Sequence, residues 1–370
     1  MRRFTDVENA DSDDRPRSPA VWWGMAAYMD IVLRSKLPDQ VLLRTIDTTV
    51  APLYFKYRPL RVFLAMKFVA ILMWRLVTFR PDILHVHTSA HAGFWEKAFF
   101  VRLGSIFNVP GILHIHGSEF QKFFSESSRK QQIQAAMGRC ERVIALSPKW
   151  GDFLGSIVPP QRVVVIENGI DLKPFRHRGG ANEPVRILFV GTIGERKGLY
   201  TILQAIQKSA LLKSSRVVFH LLGGETFYGD FEKVTNAFRE ASVTNAHFPG
   251  VVFGEEKYRF FAESDIFILP SFNEGLPIAL IEAMASSLPV VSTTVGGIPD
   301  LVKSENGFLI EPGDAGGLAE ALEKLVSDPE LRRTMGRTNR QKVEAEYSAD
   351  AKMDQLLALY RDVKKGRAKE

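Results

Sequence analysis

The chain has 370 residues, enough for about two domains, and its apolar fraction of 45% allows each domain to bury a core. Its 48 Lys and Arg against 42 Asp and Glu give a net charge of +6 and a pI near 9.3. This mild positive charge favours anionic ligands or lipid surfaces, but it is far below that of a nucleic-acid-binding protein, so we exclude that class. The single cysteine, Cys140, excludes an intramolecular disulfide and a cysteine-based zinc site, and it fits a reducing, cytoplasmic compartment.

Residues 1–19 are polar, acidic and proline-containing, without the apolar core of a signal peptide, so we predict a disordered lead-in. The longest apolar segment, Val62 to Phe79, contains Lys67 and Arg75. Each cation would cost about 2.5 to 3.5 kcal/mol in a membrane-spanning helix, which favours a helix of a folded domain. Because basic residues surround the segment, a second interpretation stays open: an interfacial helix that makes a peripheral contact with the inner face of a membrane.

Short apolar runs alternate with helical stretches over residues 20–172, the predicted N-terminal domain. Such alternation predicts βαβ units, a parallel sheet and helices on both faces of that sheet. The predicted helices are Ala20–Leu33, Leu60–Phe79, Phe94–Phe107 and Arg129–Gly138, and the predicted strands are Val41–Ile46, Ile83–Val86, Gly111–Ile115, Val143–Leu146 and Val163–Ile166.

The alternation breaks after Asn168, at NGIDLKPFRHRGGANEP, where glycine, proline and charge indicate a linker. It restarts over residues 183–347, and residues 348–370 form a helix that we expect to cross back to the N-terminal domain. The fold class is therefore α/β, with two Rossmann-like doubly wound domains facing a cleft and a C-terminal helical tail. The second domain's predicted strands are Arg186–Val190, Val217–Leu222, Ile266–Leu269 and Val290–Thr293, and its predicted helices are Leu199–Lys208, Asp230–Ala241, one from Pro277, Leu318–Val326 and Leu331–Glu346.

A glycine-rich loop, GTIGERKG from Gly191 to Gly198, follows the first strand of the second domain and precedes a helix. Its backbone can approach a ligand closely, and Arg196 and Lys197 supply two cations. The spacing fits neither a Walker loop nor the G-x-G-x-x-G fingerprint. By composition, the loop is either an anion site or a basic solvated turn.

Two carboxylates lie in SFNEGLPIALIEAMASSLPVVSTTVGGIPD, which begins at Ser271. Pro277 suits a helix start, and the helix that follows is apolar on nearly all sides except at Glu282. A carboxylate in such surroundings needs a hydrogen-bonding ligand or a buried cation. Because the loop with Glu274 and the glycine-rich loop both follow strands, we expect them at one edge of the sheet, where cations and helix N-termini can hold a diphosphate.

These two stretches resemble the E-x7-E signature and the G-R-L-x-x-x-K-G loop of the GT-B-fold retaining glycosyltransferases of family 4 (group 1). NGID at Asn168 is similar to the domain-junction motif of that family, and DILHVH and ILHIHGSE are similar to its N-domain strands. The resemblance covers most of the chain from about Trp22 onward.

The resemblance implies a metal-independent hexosyltransferase that retains the anomeric configuration. Its donor would be a nucleotide-diphosphate sugar, a substrate rather than a cofactor, and its acceptor a polysaccharide, a lipid-linked saccharide or a small glycoside, as in polysaccharide biosynthesis. A sugar-nucleotide epimerase of the same fold and a catalytically inactive nucleotide-sugar-binding protein stay open. A two-carboxylate glycosidase would leave the phosphate-type loop without a purpose.

Carried over by position, the motifs imply catalytic roles for three residues: Glu274 contacts a hydroxyl of the donor sugar, Lys197 neutralises the diphosphate, and His116 lies near the sugar. Glu282 would bind the nucleotide ribose. The donor-binding set is Gly191, Thr192, Arg196, Lys197, Asn273, Glu274, Gly275, Leu276, Pro277 and Glu282.

Two departures from the family pattern concern the diphosphate and the acceptor. Thr192 stands where the family has arginine, and Arg196 is a candidate substitute. The acceptor side is assigned to Gly24 and His87, yet no apolar strand precedes Gly24, so the N-terminal domain is incomplete or the given start omits its first strand.

Two histidine pairs, His85 with His87 and His114 with His116, are each spaced by two residues on predicted strands, so each pair points to one sheet face. Such pairs can ligate a metal ion. No third ligand of matching spacing is evident, so we expect no metal site and favour packing and hydrogen bonding for His85 and His114. His116 and His87 fall at strand ends, where a cleft is expected.

Overall fold

The computed structural model describes residues 25–48, 58–176, 183–225 and 229–367. The chain divides into two compact units. The N-terminal unit contains the residues up to Ala145, Gly151–Ile166 and the residues from Met353, whereas the C-terminal unit contains Leu146–Trp150 and Glu167–Lys352. The predicted lead-in and Gly24 lie outside the described residues.

The N-terminal unit is built on a parallel sheet whose four strands lie in the order β1-β2-β3-β4. The strands are β1 Leu84–Thr88, β2 Gly111–Ile115, β3 Arg142–Ala145 and β4 Val163–Val165. The helices along this part of the chain are α1 Met25–Arg34, α2 Arg58–Thr78, α3 His91–Ile106, α4 Phe120–Glu126, α5 Lys130–Met137 and α6 Pro148–Gly155. All five residues of β2 are buried, as expected for an inner strand covered on both faces.

The C-terminal unit is built on a six-stranded parallel sheet in the order β10-β9-β8-β5-β6-β7. The strands are β5 Val185–Val190, β6 Val217–Leu222, β7 Ala246–Gly250, β8 Ile266–Leu269, β9 Val290–Thr293 and β10 Gly307–Ile310. From β5 the chain builds outward through β6 and β7, and it then returns to the other side of β5 with β8. This reversal between β5 and β8 is a topological switch point, where open α/β sheets bind ligands beyond the carboxyl ends of the strands.

Helices connect these strands and follow the last of them. They begin where local chemistry favours a start: Asp314 and Asp328 accept hydrogen bonds from the backbone N–H groups of Gly317 and Leu331 as N-caps. The helices are α7 Leu199–Lys208, α8 Ala210–Lys213, α9 Asp230–Glu240, α10 Gly254–Glu263, α11 Ile278–Ala285, α12 Ile298–Leu301, α13 Ala315–Ser327, α14 Pro329–Glu346 and α15 Ala349–Arg367.

Most of α15 belongs to the N-terminal unit, because the chain returns to that unit at Met353. The Tyr360 hydroxyl lies 2.6 Å from Nδ1 of His85 on β1. Arg142 on β3 donates to the Asp362 carboxylate at 2.7 Å. The part of α15 from Met353 onward thus packs against the N-terminal sheet.

Three sequence-based assignments of strands were wrong or incomplete. The expected strand Val41–Ile46 pairs with no described strand. Strands β7 and β10 were not predicted, and both are edge strands, which are half-exposed and short. β7 also contains Pro249, which weakens the strand signal because proline donates no ladder hydrogen bond.

No helix among the described residues is long and apolar enough to cross a membrane. The predicted apolar segment instead forms most of α2, one side of which is buried through Phe68, Leu72 and Leu76.

Candidate active site

The glycine-rich loop after β5 lies against the segment that follows β8. The backbone N–H of Phe272 donates to the carbonyl of Arg196 at 3.0 Å. Gly198 has a φ of +78°, and a Cβ at this position would lie 2.0 Å from the carbonyl oxygen of Pro270. Only glycine fits this position, since any side chain would push the two loops apart. The switch point therefore brings both predicted loops together, as expected.

Lys197 and Glu274 form an ion pair across these two loops. Lys197 Nζ lies 2.5 Å from Glu274 Oε1, and the side chains retain only 15% and 9% of their exposure. Lys197 belongs to a short 3₁₀ turn, Glu195–Lys197, which ends at Gly198. Two residues that the sequence placed 77 positions apart thus share one partly desolvated contact.

Glu282 has a different partner. Its Oε1 accepts from Lys257 Nζ at 2.6 Å, and the Glu282 side chain is 10% exposed. Lys257 lies on α10 and was not identified from the sequence, although the requirement for a cation beside a buried carboxylate signalled that some partner had to exist. The two carboxylates of the E-x7-E motif are therefore each bound by a lysine.

The diglycine Gly296–Gly297, downstream of α11, packs against the backbone of the loop that carries Glu274. Gly296 has a φ of +57°, and a Cβ there would lie 1.9 Å from the carbonyl oxygen of Glu274. The backbone N–H of Gly297 donates to the carbonyl of Gly275 at 2.7 Å. The diglycine thus fixes the backbone that carries Glu274.

The NGID motif contacts the segment between Glu274 and α11. Asn168 is buried, and its Nδ2 donates to the carbonyl of Leu276 at 2.8 Å. Pro277 follows as the N-cap residue of α11, in extended backbone conformation. The first N–H groups of a helix have no intrahelical acceptor, so this short segment presents donors at a rigidly held helix start.

The remaining residues of the predicted donor set differ in their exposure. Gly191 and Thr192 are buried, and the N–H of Gly191 donates to the carbonyl of Leu222 on β6 at 3.0 Å. Arg196 is exposed and Asn273 is half-buried. The Arg196 side chain is therefore open to solvent, whereas Thr192 is part of the loop's packing.

The predicted histidines of the N-terminal unit form one cluster on β1, on β2 and directly after β2. His87 lies beside His114 in the strand register, and His87 Nδ1 is 3.0 Å from Nε2 of His116. Ring centroids of neighbouring histidines in the cluster are 4.0 to 5.4 Å apart, and the Tyr28 ring of α1 lies 4.9 to 5.4 Å from three of them. His85 is hydrogen-bonded, as expected, but His114 has no hydrogen-bond partner among the described residues.

Burial dominates the protonation of this cluster. Desolvation lowers the pKa of His85, His114 and His116 well below the ordinary histidine value, and the neighbouring rings lower it further. Desolvation, followed by the charge of Lys97, lowers the pKa of His87 to about 4. All four imidazoles are therefore neutral at pH 7.

Two family models match the chain. Residues 30–174 match the model described as glycosyltransferase family 4, and residues 184–328 match the model described as glycosyl transferases group 1. AmsK, an amylovoran biosynthesis glycosyltransferase of Erwinia amylovora, is 30% identical over 75% of this chain and 69% of its own length. The chain spans 63% and 58% of the length of two other curated relatives that it matches.

Two solved structures show the same fold. Sucrose-phosphate synthase from Thermosynechococcus elongatus is 24% identical and superposes with a TM-score of 0.71, over 83% of this chain and 79% of that chain. HepE from Anabaena, solved in complex with UDP-glucose, is 18% identical with a TM-score of 0.65, over 80% and 82% of the two chains. The chain therefore has the GT-B fold and belongs to the group 1 glycosyltransferases of family 4.

Proposed function

We propose that this protein transfers a hexose from a nucleotide-diphosphate sugar to a saccharide, lipid-linked or small glycoside acceptor, with retention of the anomeric configuration. The observation that carries the proposal is the Lys197–Glu274 pair at the β5/β8 switch point, directly before the start of α11. The names of the similar proteins support it, because AmsK is an amylovoran biosynthesis glycosyltransferase and HepE was solved with UDP-glucose.

In this proposal, Lys197 and the first turn of α11 bind the diphosphate. An ammonium group has three N–H donors, so Lys197 can keep its contact with Glu274 and still donate to a phosphate oxygen. Backbone groups of Gly275, Leu276 and Pro277 line the same position, and Arg196 adds an exposed cation. Asn273 is close enough along the chain to contribute a side-chain amide.

The carboxylates then bind hydroxyl groups. Glu282, held by Lys257, accepts hydrogen bonds from the ribose diol, while Glu274 accepts one from the donor sugar. A carboxylate that is oriented by a lysine loses little freedom when it binds a ligand, and hydrogen bonds to charged groups contribute about 1.5 to 3 kcal/mol. The two lysines thus orient the two acceptors.

During transfer, the bond between the anomeric carbon and the diphosphate oxygen breaks and the acceptor oxygen bonds to that carbon on the same face. The acceptor proton passes to the departing phosphate oxygen. Negative charge develops on the leaving group, where Lys197 and the α11 N-terminus are preorganised to stabilise it. We propose that these groups make a metal ion at the diphosphate unnecessary and that no separate cofactor takes part.

The N-terminal unit would supply the acceptor side. The assignment of His116 to the donor sugar and of His87 to the acceptor rests on the motif ILHIHGSE and on the strand-end position of both residues. Because burial keeps His116 neutral, it can donate or accept a single hydrogen bond but carries no charge toward the sugar.

We further propose that the protein works in the cytoplasm and touches the inner face of the membrane through α2. Its exposed apolar residues are spaced by three or four positions and so form one stripe, opposite the buried stripe of the same helix: Phe63, Met66, Ala70, Trp74 and Val77. Lys67 at the edge of this stripe adds a cation. An apolar face with basic flanks is typical of helices that lie in the membrane interface.

The test of the proposed function is a thermal-shift screen against nucleotide sugars, followed by incubation of the best donor with and without saccharide acceptors. We expect one family of nucleotide-diphosphate sugars to raise the melting temperature and an acceptor-dependent product whose anomeric configuration, measured by proton NMR, equals that of the donor. Conversion of the donor without any acceptor, inversion, or binding without transfer or hydrolysis would contradict the proposal.

A further inference from the structure

The histidine cluster of the N-terminal unit has a feature that the proposed function does not use. Four of the eight histidines of the chain are gathered here: His85, His87 and His114 lie on the same face of two adjacent parallel strands, and His116 directly follows the second strand. The cluster is not a surface patch, because His114 is completely buried and Tyr28, which packs on it, is 1% exposed. Imidazoles gathered in the interior need either hydrogen-bond partners or a ligand.

Several polar atoms of the cluster lack such partners. Nε2 of His85, both ring nitrogens of His114 and the Tyr28 hydroxyl are buried without a hydrogen-bond partner in the part of the chain that the structure describes. A buried polar group without a hydrogen-bond partner destabilises the folded state. Four such atoms within one cluster are therefore unusual for a region whose only purpose is packing.

Two of the histidines have one ring nitrogen engaged in a hydrogen bond. His85 is held at Nδ1 by the Tyr360 hydroxyl, which leaves its Nε2 without a partner. His87 is held at Nδ1 by His116. Histidines that ligate a metal usually engage their other ring nitrogen in such a hydrogen bond, which fixes the ring orientation.

The distances fit three ligands around one ion. His85, His87 and His114 each offer a ring nitrogen, and these atoms all lie within 4.8 Å of one another. Nitrogen ligands at about 2.0 to 2.1 Å from a tetrahedral zinc ion stand roughly 3.3 Å apart, so small rotations of the rings close the site. We propose that His85, His87 and His114 bind a divalent transition-metal ion of the zinc class.

The chemistry of the ligands selects the kind of ion. Imidazole suits Zn²⁺, Cu²⁺, Ni²⁺ and Fe²⁺, whereas Mg²⁺ and Ca²⁺ prefer oxygen ligands. The three ligands include no carboxylate. The ion would thus join β1 and β2 beneath the α1 residue Tyr28.

The experiment is a titration of the full, tag-free chain with Zn²⁺ alone after dialysis against a chelator. We expect one tightly bound Zn²⁺ per chain by calorimetry, and Co²⁺ in its place should give the intense visible absorption of a four-coordinate site. Binding of the ion to the native state should also raise the melting temperature.

The variants His114→Asn and His85→Gln should each weaken Zn²⁺ binding by at least about tenfold. Exposed histidines provide the matched controls, and His91→Asn and His247→Asn should bind as the parent chain does. Far-UV circular dichroism checks that each variant is folded. His85 is less buried than His114, so His85→Gln tests the proposal if His114→Asn does not fold. No binding by the parent chain, or equal binding by the parent and a folded cluster variant, overturns the proposal.

Discussion

The ammonium of Lys197 donates to the carboxylate of Glu274 at 2.5 Å, and so joins the loop after β5 to the loop after β8. This one contact lies at the topological switch point of the C-terminal sheet and in front of the α11 helix start. It pairs a carboxylate that is 9% exposed with a cation, and in the proposed function it keeps that cation at the diphosphate.

Replacing Lys197 should abolish most of the activity. We expect Lys197→Ala to lower kcat by at least about two decades, roughly 3 kcal/mol, because the departing diphosphate loses its cation. The control is Lys208→Ala, an exposed lysine at the end of α7, which should leave kcat unchanged. Steady-state kinetics with saturating donor measure both, and an unaffected turnover in Lys197→Ala would falsify the role assigned to Lys197.

Glu282 should contribute to nucleotide affinity rather than to turnover. Glu282→Gln keeps the shape of the side chain but removes its charge, so we expect the Kd of the nucleoside diphosphate to rise about tenfold, or 1.4 kcal/mol. Lys257→Met should produce a similar loss because it leaves Glu282 without the cation that orients it.

Calorimetric titration measures these affinities, with the exposed Glu263→Gln on α10 as the control. A fall in kcat without any change in Kd for Glu282→Gln would place this carboxylate at the reacting sugar instead of the ribose.

Gly296 and Gly254 form a matched pair for testing the diglycine. Their φ angles are +57° and +54°, but a Cβ at Gly296 would overlap the Glu274 carbonyl, whereas a Cβ at Gly254 meets nothing within 4 Å. Gly254→Ala should cost about 1 to 2 kcal/mol of unfolding free energy from its left-handed backbone alone. Gly296→Ala adds a steric overlap of about 1 to 3 kcal/mol and should weaken nucleotide binding as well.

Urea unfolding followed by fluorescence gives both free energies. Equal destabilisation by the two substitutions, with unchanged nucleotide binding in both, would show that the backbone of Glu274 does not depend on the diglycine.

The histidine cluster makes the stability of the metal-free chain depend on pH. The pKa values of these histidines in the folded state lie below the ordinary value that they have in the unfolded state. At a pH between the folded and the unfolded pKa values, the unfolded chain therefore binds more protons than the folded chain does. The stability they contribute is fully present above about pH 6.5 and is lost as the pH falls toward the folded value, which is about 4 for His87.

Unfolding in urea with chelator at pH 7.5, 6.0 and 5.0 measures this dependence. We expect the free energy of unfolding to fall with acidification and to fall less steeply in His114→Asn, which removes one such group. Parallel pH profiles for the parent chain and the variant would contradict this explanation.

The exposed stripe of α2 should mediate vesicle binding. We expect the parent chain to cosediment with vesicles that contain phosphatidylserine, and Phe63→Ser with Trp74→Ser to release most of it, because these rings are 63% and 64% exposed. The control replaces two exposed apolar residues of the C-terminal unit, Val251→Ser with Phe253→Ser. If both double variants bind as the parent does, α2 is not the contact.

The sequence was sufficient to predict the parallel sheets and the meeting of the loop after β5 with the loop after β8, because these features depend on local apolar runs and on glycine at special backbone positions. It was insufficient for β7 and β10, whose short, half-exposed edge positions carry little pattern. It also missed the partner of Glu282, since nothing local connects Lys257 on α10 to a carboxylate 25 residues later.

The histidine cluster shows a second limit of prediction from the sequence. Their spacing by two predicted that each pair shares a sheet face, but the register that places His87 beside His114 is set by pairing of β1 with β2, which the sequence does not specify. The contact of His85 with Tyr360 depends on the return of α15 to the N-terminal unit. A cluster assembled from four separate segments, α1, β1, β2 and α15, is therefore visible only in the structure.

The most direct test of the donor site is the difference in affinity between a nucleoside diphosphate and the matching monophosphate, measured by calorimetry in the parent chain and in Lys197→Met. We expect the diphosphate to bind at least about tenfold more tightly to the parent chain, and this advantage to disappear in the variant while the monophosphate affinity stays the same. An advantage of the diphosphate that persists in Lys197→Met would contradict the assignment of Lys197 and of the β5/β8 switch point as the site of the leaving group.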